Sequence, residues 1–271
     1  MPFSHQKFLQ LLPLPFVHLI NFLIEKKFIV TIVGGIVRDF ILFQKMGHDF
    51  DVEISHETLS FNEEIWRNLG QSLSQFGDVS FLAYEVIRIK INHIEIELTP
   101  PRKELFYPLE HPKAQGHSNF DAVFDFSLPF NQSLLRRDFS INAMGVRMMG
   151  EGKLMFTDPL HALDHLEQKV LSPVSANFVK DPVRFLRAFR FSLNLEFQFS
   201  ETLKKYLKRM DCSELKAYSV WQEMVKSHDP FEFLKQLLFF ENKSLILPID
   251  QQFFLSNQNP KKLITSPKSQ T

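Results

Sequence analysis

The 271-residue chain carries one cysteine, Cys212, which excludes an internal disulfide framework and any zinc site built on several thiolates. That thiol is expected to be reduced, as in a cytosolic protein. Net charge is absent too. With 31 Lys+Arg against 31 Asp+Glu, a polybasic coat for nucleic acid is excluded, though a local basic stripe is not. No apolar run is long and clean enough to span a membrane: the richest, residues 8–24, is broken by Pro13, Pro15, His18 and Asn21. No small-residue cleavage site follows it to mark a secretory signal. An amphipathic helix over 16–27, opened by Pro15, is expected there, in a soluble intracellular protein. Tyrosine and tryptophan are scarce, 4 and 2 residues against 30 phenylalanines, so the core is expected to be aromatic with few polar ring substituents. A hydrophobic share of 44% is enough to pack one large domain or two modest ones.

The pattern along the chain is α+β. The β-branched run at 28–33, ending at Gly34-Gly35, reads as a buried strand entering a tight turn. Residues 36–43 read as a helix and 48–54, His-Asp-Phe-Asp-Val-Glu-Ile, as a second strand. A helix over 58–76 follows, with Leu59, Ile65, Trp66, Leu69 and Leu73 on its apolar side. Alternation at 86–91 and 94–98, with Asn92-His93 between, predicts a hairpin. Residues 101–129, polar and containing His111 and His117, read as a long loop. From 132 onward helices are expected at 134–144, 160–169, 182–193, 202–210, 214–226 and 231–240. The reading is a mixed, partly antiparallel sheet in 1–157, an all-helical unit in 158–256, and a flexible tail at 257–271.

Chemistry concentrates in Gly34-Gly35-Ile36-Val37-Arg38-Asp39 followed by Asp49-Phe50-Asp51. Side chains at i and i+2 of a strand share a face, so the two aspartates stand side by side. Paired like charges call for a cation, and Mg²⁺ favours a few carboxylates together with phosphate oxygens. A Gly-Gly turn into a helix offers backbone N–H groups and a positive dipole end that suit a triphosphate. Arg38 either adds a charged fork there or pairs with Asp39. Glu95 and Glu97 share a face of the next strand pair, where either could complete a two-metal site or simply decorate a solvated face. Further on, Arg136 and Arg137 precede a helix-like run, and arginine suits bidentate phosphate recognition. Asp181 reads as an N-cap with Pro182 first in the helix. Arg184, Arg187 and Arg190 recur along one face without acidic partners three or four residues on. Lys204, Lys205, Lys208 and Arg209 extend that positive character toward a nucleic-acid backbone.

Taken in order, these motifs resemble the class II tRNA nucleotidyltransferases (CCA-adding enzymes) and the bacterial poly(A) polymerases, from about residue 28 to about 226. GGIVRD resembles the family's phosphate loop and DFD its metal-binding Asp-x-Asp; IELTPPR resembles the strand that favours Glu97 over Glu95. RRDFSINAM, with Arg137, Asp138 and Asn142, resembles the motif that contacts the ribose and phosphates. DPLHALDHLEQKVL resembles the hinge into a neck, and KDPVRFLRAFRF the neck helix that reads the incoming base. The resemblance implies a nucleotidyltransferase head followed by a helical neck. Asp49, Asp51 and Glu97 would be catalytic, the two aspartates holding one or two Mg²⁺. Gly34, Gly35, Arg38, Arg137, Asp138, Asn142, Asp181, Arg184 and Arg187 would bind ATP or CTP. Arg190, Lys204, Lys205 and Lys208 would bind RNA, with a tRNA 3′ end as the expected partner and no membrane. Lys180, His161-Ala162 and Tyr218-Ser219 depart from the family pattern, and a C-terminally shortened member is expected, since only some 50 residues follow the neck motifs. Three functions stay open: addition of nucleotides, chiefly AMP, to RNA 3′ ends; hydrolytic trimming of those ends by the same metal site; and a non-catalytic RNA- or nucleotide-binding module.

Overall fold

Strand alternation separates an apolar and a polar face in the computed structural model, which describes residues 3–107, 119–150, 152–213 and 215–241. The expectations for His111, His117 and the tail at 257–271 lie outside them. Seven strands form one sheet in the order β3-β4-β5-β2-β1-β8-β9. They are β1 (Ile29–Val33), β2 (Asp49–Ser55), β3 (Asp78–Leu82), β4 (Val86–Ile91), β5 (Ile94–Thr99), β8 (Gly145–Gly150) and β9 (Lys153–Thr157). All neighbours run antiparallel except β2 and β5, which run parallel, so the sheet is mixed as expected.

On one face Val30, Ile32, Phe50, Val52, Ile54, Ile89, Ile96 and Val146 are buried. The first four helices supply the cover: α1 (His5–Leu11), α2 (Leu14–Glu25), α3 (Gly35–Phe43) and α4 (Glu63–Leu73). Phe16 of α2 stacks on Phe50 at 4.2 Å and Phe8 of α1 meets Phe40 of α3 edge-on at 4.9 Å, aromatic pairs worth about 0.5–1.5 kcal/mol each beyond the area they bury. Among the described residues no single helix is long and apolar enough to cross a membrane. The apolar pair α1 and α2 turns through 108° between its members. The opposite face carries Asp49, Asp51, Glu53, Arg88, Glu95 and Glu97, in register across β2, β5 and β4.

Several elements differ from the sequence expectation. The helix expected at 58–76 starts only at Glu63, because Nδ1 of His56 accepts the N–H groups of Thr58 and Leu59 at 3.2 and 3.1 Å, and Asn62 caps the helix four residues further on. Much of the expected loop at 101–129 is a two-stranded ribbon, β6 (Arg102–Phe106) with β7 (Phe120–Phe124), whose alternation is masked by interleaved charges. No helix forms over 134–144. After the short α5 (Phe130–Ser133) the chain makes two 3-10 turns, Leu134–Arg136 and Ser140–Asn142, with Arg137 and Phe139 extended between them. Asp138 is the cause: its Oδ1 accepts from the N–H of Phe139 and from Nδ2 of Asn142 at 2.7 and 3.0 Å, drawing the local backbone out of helical pairing. The β8–β9 hairpin lies between the expected helices 134–144 and 160–169, in a stretch to which no element was assigned.

The chain divides into two compact units, one of residues 3–107, 120–168 and 172–175 with 151 left out, the other of 119, 169–171 and 176–241 with 214 left out. Helix α6 (Ala162–Glu167) belongs to the first. Asp158 caps it by accepting the N–H groups of Ala162 and Leu163 at 2.7 and 2.9 Å, and His165 Nδ1 meets Ser140 Oγ at 2.9 Å. The second unit holds the short strand pair β10 (Val170–Leu171) and β11 (Gln198–Phe199) and four helices. These are α7 (Val183–Leu195), α8 (Glu201–Arg209), α9 (Ala217–Val225) and α10 (Pro230–Phe239). Its core is phenylalanine-rich as expected, with Phe178, Phe185, Phe189 and Phe233 at 2% exposure or less. Asp229 caps α10 ahead of Pro230, and Ser200 caps α8.

Candidate active site

Between the end of β1 and the start of α3 the chain reverses in one residue. Gly34 does this at φ 81° and ψ −146°, a conformation essentially reserved for glycine. Val33, just before it, pairs in register with Asp51 of β2. The bare backbone of Gly34 therefore faces that carboxylate: a Cβ placed there would lie 2.7 Å from Oδ2 of Asp51 and 3.4 Å from Nη1 of Arg137. Asp49 and Asp51 are both exposed on one face of β2, with Phe50 buried between them on the other. The two acids are thus exposed on one face, with the buried Gly34 turn and the half-buried Arg137 beside Asp51.

Behind the turn lies a polar strut. Arg38 is buried; its Nε donates to Oδ1 of Asp39 at 2.8 Å and its Nη1 to Oδ1 of Asn142 at 2.6 Å. Asn142 in turn donates to Asp138. Of the two roles open to Arg38, the ion pair with Asp39 is the one the structure forms, and the guanidinium also locks the Ser140–Asn142 turn against α3. Arg137 donates from Nη1 to the carbonyl of Asn142 at 3.2 Å. Its pKa is lowered chiefly by burial and then by neighbouring Arg136, against the opposing pull of Asp51, Glu53 and Asp138. An arginine remains protonated under such pressure, so Arg137 is a fixed, weakly hydrated positive charge beside Asp51.

The expected third carboxylate does not join the pair. Glu97 lies opposite Asp51 in the parallel β2–β5 register, but its Oε1 is held by Nη2 of Arg88 at 2.6 Å. Glu95 pairs with Arg88 at 3.0 Å and with Lys90 at 3.3 Å. Among the described residues no group of three or more His, Cys, Asp or Glu is placed to hold a metal ion. The neighbouring strand β4 supplies cations enough to neutralise both glutamates, and sequence alternation alone could not show that.

One residue the sequence reading passed over stands two positions beyond Asp51 on the same face. Glu53 is buried at 4% exposure. Burial raises its pKa, opposed in turn by Arg136, the Ser133 hydrogen bond, Arg137 and Arg102. The Asp-Phe-Asp-Val-Glu alternation was the available signal. Glu53 also lines a cavity of about 400 Å³ with Thr31, His56, Phe126, Arg147 and Thr157; none of the expected site residues borders it.

In the second unit, Oδ1 of Asp181 accepts the N–H of Val183 at 3.0 Å, the capping bond expected of it, although the regular helix begins one residue later than expected. Arg184 is buried, with Nε 3.6 Å from Asp181 and Nη1 donating to the carbonyl of Asn177 at 3.3 Å. Arg187 is half-buried, its guanidinium carbon 5.3 Å from the Phe191 ring centroid. Arg190 departs from its expected RNA-binding role. Its side chain is only 11% exposed, paired with Glu223 of α9 at 2.5 Å and packed over Phe191 at 4.1 Å. Its acidic partner comes from another helix, where i+3 and i+4 spacing could not reveal it. Lys204, Lys205 and Lys208 are exposed on α8; Lys204 meets Glu201 at 2.7 Å and Lys208 meets Glu241 at 3.4 Å, exposed pairs that are worth little.

Comparison with known proteins adds the family. The chain is 33% identical over 182 residues to the A-adding tRNA nucleotidyltransferase of Aquifex aeolicus, covering 66% of this chain and 20% of that protein. It is 34% identical over 231 residues to the multifunctional CCA protein of Legionella pneumophila, covering 81% of this chain and 50% of that one. The chain thus spans half or less of the length of these relatives. In fold it is similar to a solved CCA-adding enzyme in an apo form, with a TM-score of 0.67 at 21% identity, covering 86% of this chain and 54% of the other. It is also similar to a tRNA nucleotidyltransferase solved with a primer tRNA and an incoming ATP analogue, with a TM-score of 0.58 at 23% identity, covering 81% and 59%. Residues 30–172, over half of the chain and the stretch that holds the glycine turn, the paired aspartates and the Arg137 turn, match the Poly A polymerase head domain, and the chain belongs to that family.

Proposed function

We propose that the chain transfers nucleotides to RNA 3′ ends in the cytoplasm, with AMP from ATP as the chief donor, CTP as the other, and tRNA as the acceptor. The observation that carries this reading is the approach of Asp51 and Arg137 to the bare backbone of Gly34, where a carboxylate, a guanidinium and a helix N-terminus converge beside the exposed Asp49 and Asp51. Such a set suits a polyphosphate better than a neutral ligand.

Asp49 and Asp51 are the residues that would hold Mg²⁺, and two exposed carboxylates on one strand face suit an ion that takes one or two carboxylates and completes its shell with water and phosphate. When bound, the ion lowers the cost of charge that builds on the phosphoryl oxygens. The chain's own residues do the rest. Arg137 offsets the triphosphate charge, and Gly34 lets the phosphates approach the backbone. Arg38, Asn142 and Asp138 keep the Arg137 segment from shifting as charge develops, so little reorganisation is needed in the transition state. The RNA 3′-hydroxyl forms a bond to the α-phosphorus, the bond to the departing pyrophosphate breaks, and the hydroxyl proton leaves to water across the exposed face. In the second unit, which serves as the neck, Asp181 and Arg184 offer an acceptor and a fork of donors to the base edge. Lys204, Lys205 and Lys208 offer exposed charge to the RNA backbone.

The test is a set of incubations of the purified protein with labelled tRNA, Mg²⁺ and each nucleoside triphosphate in turn. Lengthening with ATP or CTP is expected, lost on chelation of the divalent ion and reduced by about 10²–10³-fold or more in Asp49→Ala, as for removal of a preorganised charge-stabilising group. Shortening without triphosphate would make the same site hydrolytic. No change under any condition would leave a binding module.

A further inference from the structure

Strand β2 presents three acids on one face, Asp49, Asp51 and Glu53, and only the first two are open to solvent. Glu53 turns inward between Thr31 of β1 and Thr99 of β5, its register neighbours. There its two carboxylate oxygens lie 2.7 and 2.8 Å from Oγ of Ser133, and Oε2 lies 3.9 Å from Nη2 of Arg136. Ser133 and Arg136 flank one turn. Ser133 ends α5, and the 3-10 turn Leu134–Arg136 comes next, closed by the N–H of Arg137 donating to the carbonyl of Leu134 at 2.9 Å. The next side chain along is that of Arg137, whose Nη1 lies 3.4 Å from where a Cβ on Gly34 would stand.

The geometry points to Glu53 as a positioning residue for the triphosphate: by gripping both ends of the Ser133–Arg136 turn from the strand that carries Asp51, it sets the distance between Arg137 and the paired aspartates. This rests on the transferase reading above. A buried carboxylate is a costly way to fasten a turn, since apolar residues of similar volume often hold as well or better. What an ionic and hydrogen-bonded grip adds is direction. It ties the arginine turn to one register position of β2, so that the cationic and anionic halves of the site move as one body.

The test compares Glu53→Gln, Ser133→Ala and the double variant with the unaltered full chain, after thermal unfolding has shown each to be folded. Titration calorimetry with ATP and Mg²⁺ in the absence of RNA measures binding; primer extension gives kcat and KM. Glu53→Gln is expected to weaken ATP binding and raise its KM about tenfold, the scale of one lost charged contact, with kcat changed less than about threefold. Ser133→Ala is expected to act in the same direction, and the double variant to be no worse than the weaker single, as for two groups in one network. If Glu53→Gln does not fold, Ser133→Ala alone decides. A folded variant that binds ATP normally, or one that loses kcat at unchanged KM, overturns the assignment. If the unaltered chain binds ATP and the variants bind it weakly, yet none extends RNA, the transferase reading fails while the positioning role stands. If the unaltered chain binds no ATP, both fall.

Discussion

A methyl group added to Gly34 would meet Oδ2 of Asp51 at 2.7 Å and Nη1 of Arg137 at 3.4 Å, in a backbone conformation, φ 81° and ψ −146°, that side-chain-bearing residues avoid. The substitution carries two costs. The backbone term is about 1–3 kcal/mol of stability, the range for a non-glycine residue held in such a region. The steric term falls on function, because Asp51 is exposed and its carboxylate, the end of a side chain, would have to shift by several tenths of an ångström at least. Misplacing a reacting group by about 1 Å can cost roughly 10²-fold in rate, so Gly34→Ala is expected to lose about that factor in single-turnover extension. Gly35→Ala is the contrast: its Cβ would meet only the end of the Arg38 side chain at 3.4 Å, with no positive φ, and replacing glycine in a helix favours folding by up to about 1 kcal/mol. Urea unfolding with linear extrapolation reads the stability term and single-turnover extension the functional one. The reasoning is refuted if the two alanine variants behave alike, or if Gly34→Ala extends RNA at the rate of the unaltered chain.

Three other outcomes are expected. Glu223→Ala leaves Arg190 charged and buried, so urea unfolding should show a loss of about 3–5 kcal/mol, whereas Lys205→Ala should leave stability alone and weaken RNA binding with a shallower salt dependence; equal stability in the two variants would contradict the paired role of Arg190. Burial pushes the Cys212 thiol up to about 12, so at pH 8 only about 10⁻⁴ of it is thiolate and maleimide labelling should be slow, rise about tenfold per pH unit, and become fast in urea; rapid labelling of the native chain at pH 8 would show the thiol to be exposed. Arg184→Ala should lower discrimination between ATP and GTP by about tenfold or more, as expected when a hydrogen-bonding site loses its donor fork, and an unchanged ratio of kcat/KM values would remove Arg184 from base reading.

Local grammar made much of the architecture legible. The β-branched run into Gly34-Gly35, the alternation over 86–98 around Asn92, and the Asp-Pro, Ser and Asp-Pro starts of α7, α8 and α10 all depend on neighbours a few residues away, and each element lies within a few residues of its expected place. Elements whose signal is non-local were missed. The edge strand β3, the β6–β7 ribbon and the β8–β9 hairpin have charged or methionine-rich alternation that means little until a partner strand is present. The segment at 134–144 has a helical apolar pattern, but Asp138 competes for the backbone and Glu53, far away in sequence, holds Ser133.

The same division runs through the site. Sequence alone determined that a glycine turn and two aspartates on one strand face would occur, because backbone sterics and the two-residue period of a strand act within a handful of residues. Only the tertiary structure decided which charges are available. Register across β2, β5 and β4 gave Glu97 to Arg88, helix packing gave Arg190 to Glu223, and burial turned Glu53 into an internal anchor. A side chain's charge is written in its residue type, but whether that charge meets solvent, substrate or a counter-ion depends on chain segments dozens of residues away, which only folding brings within a few ångströms.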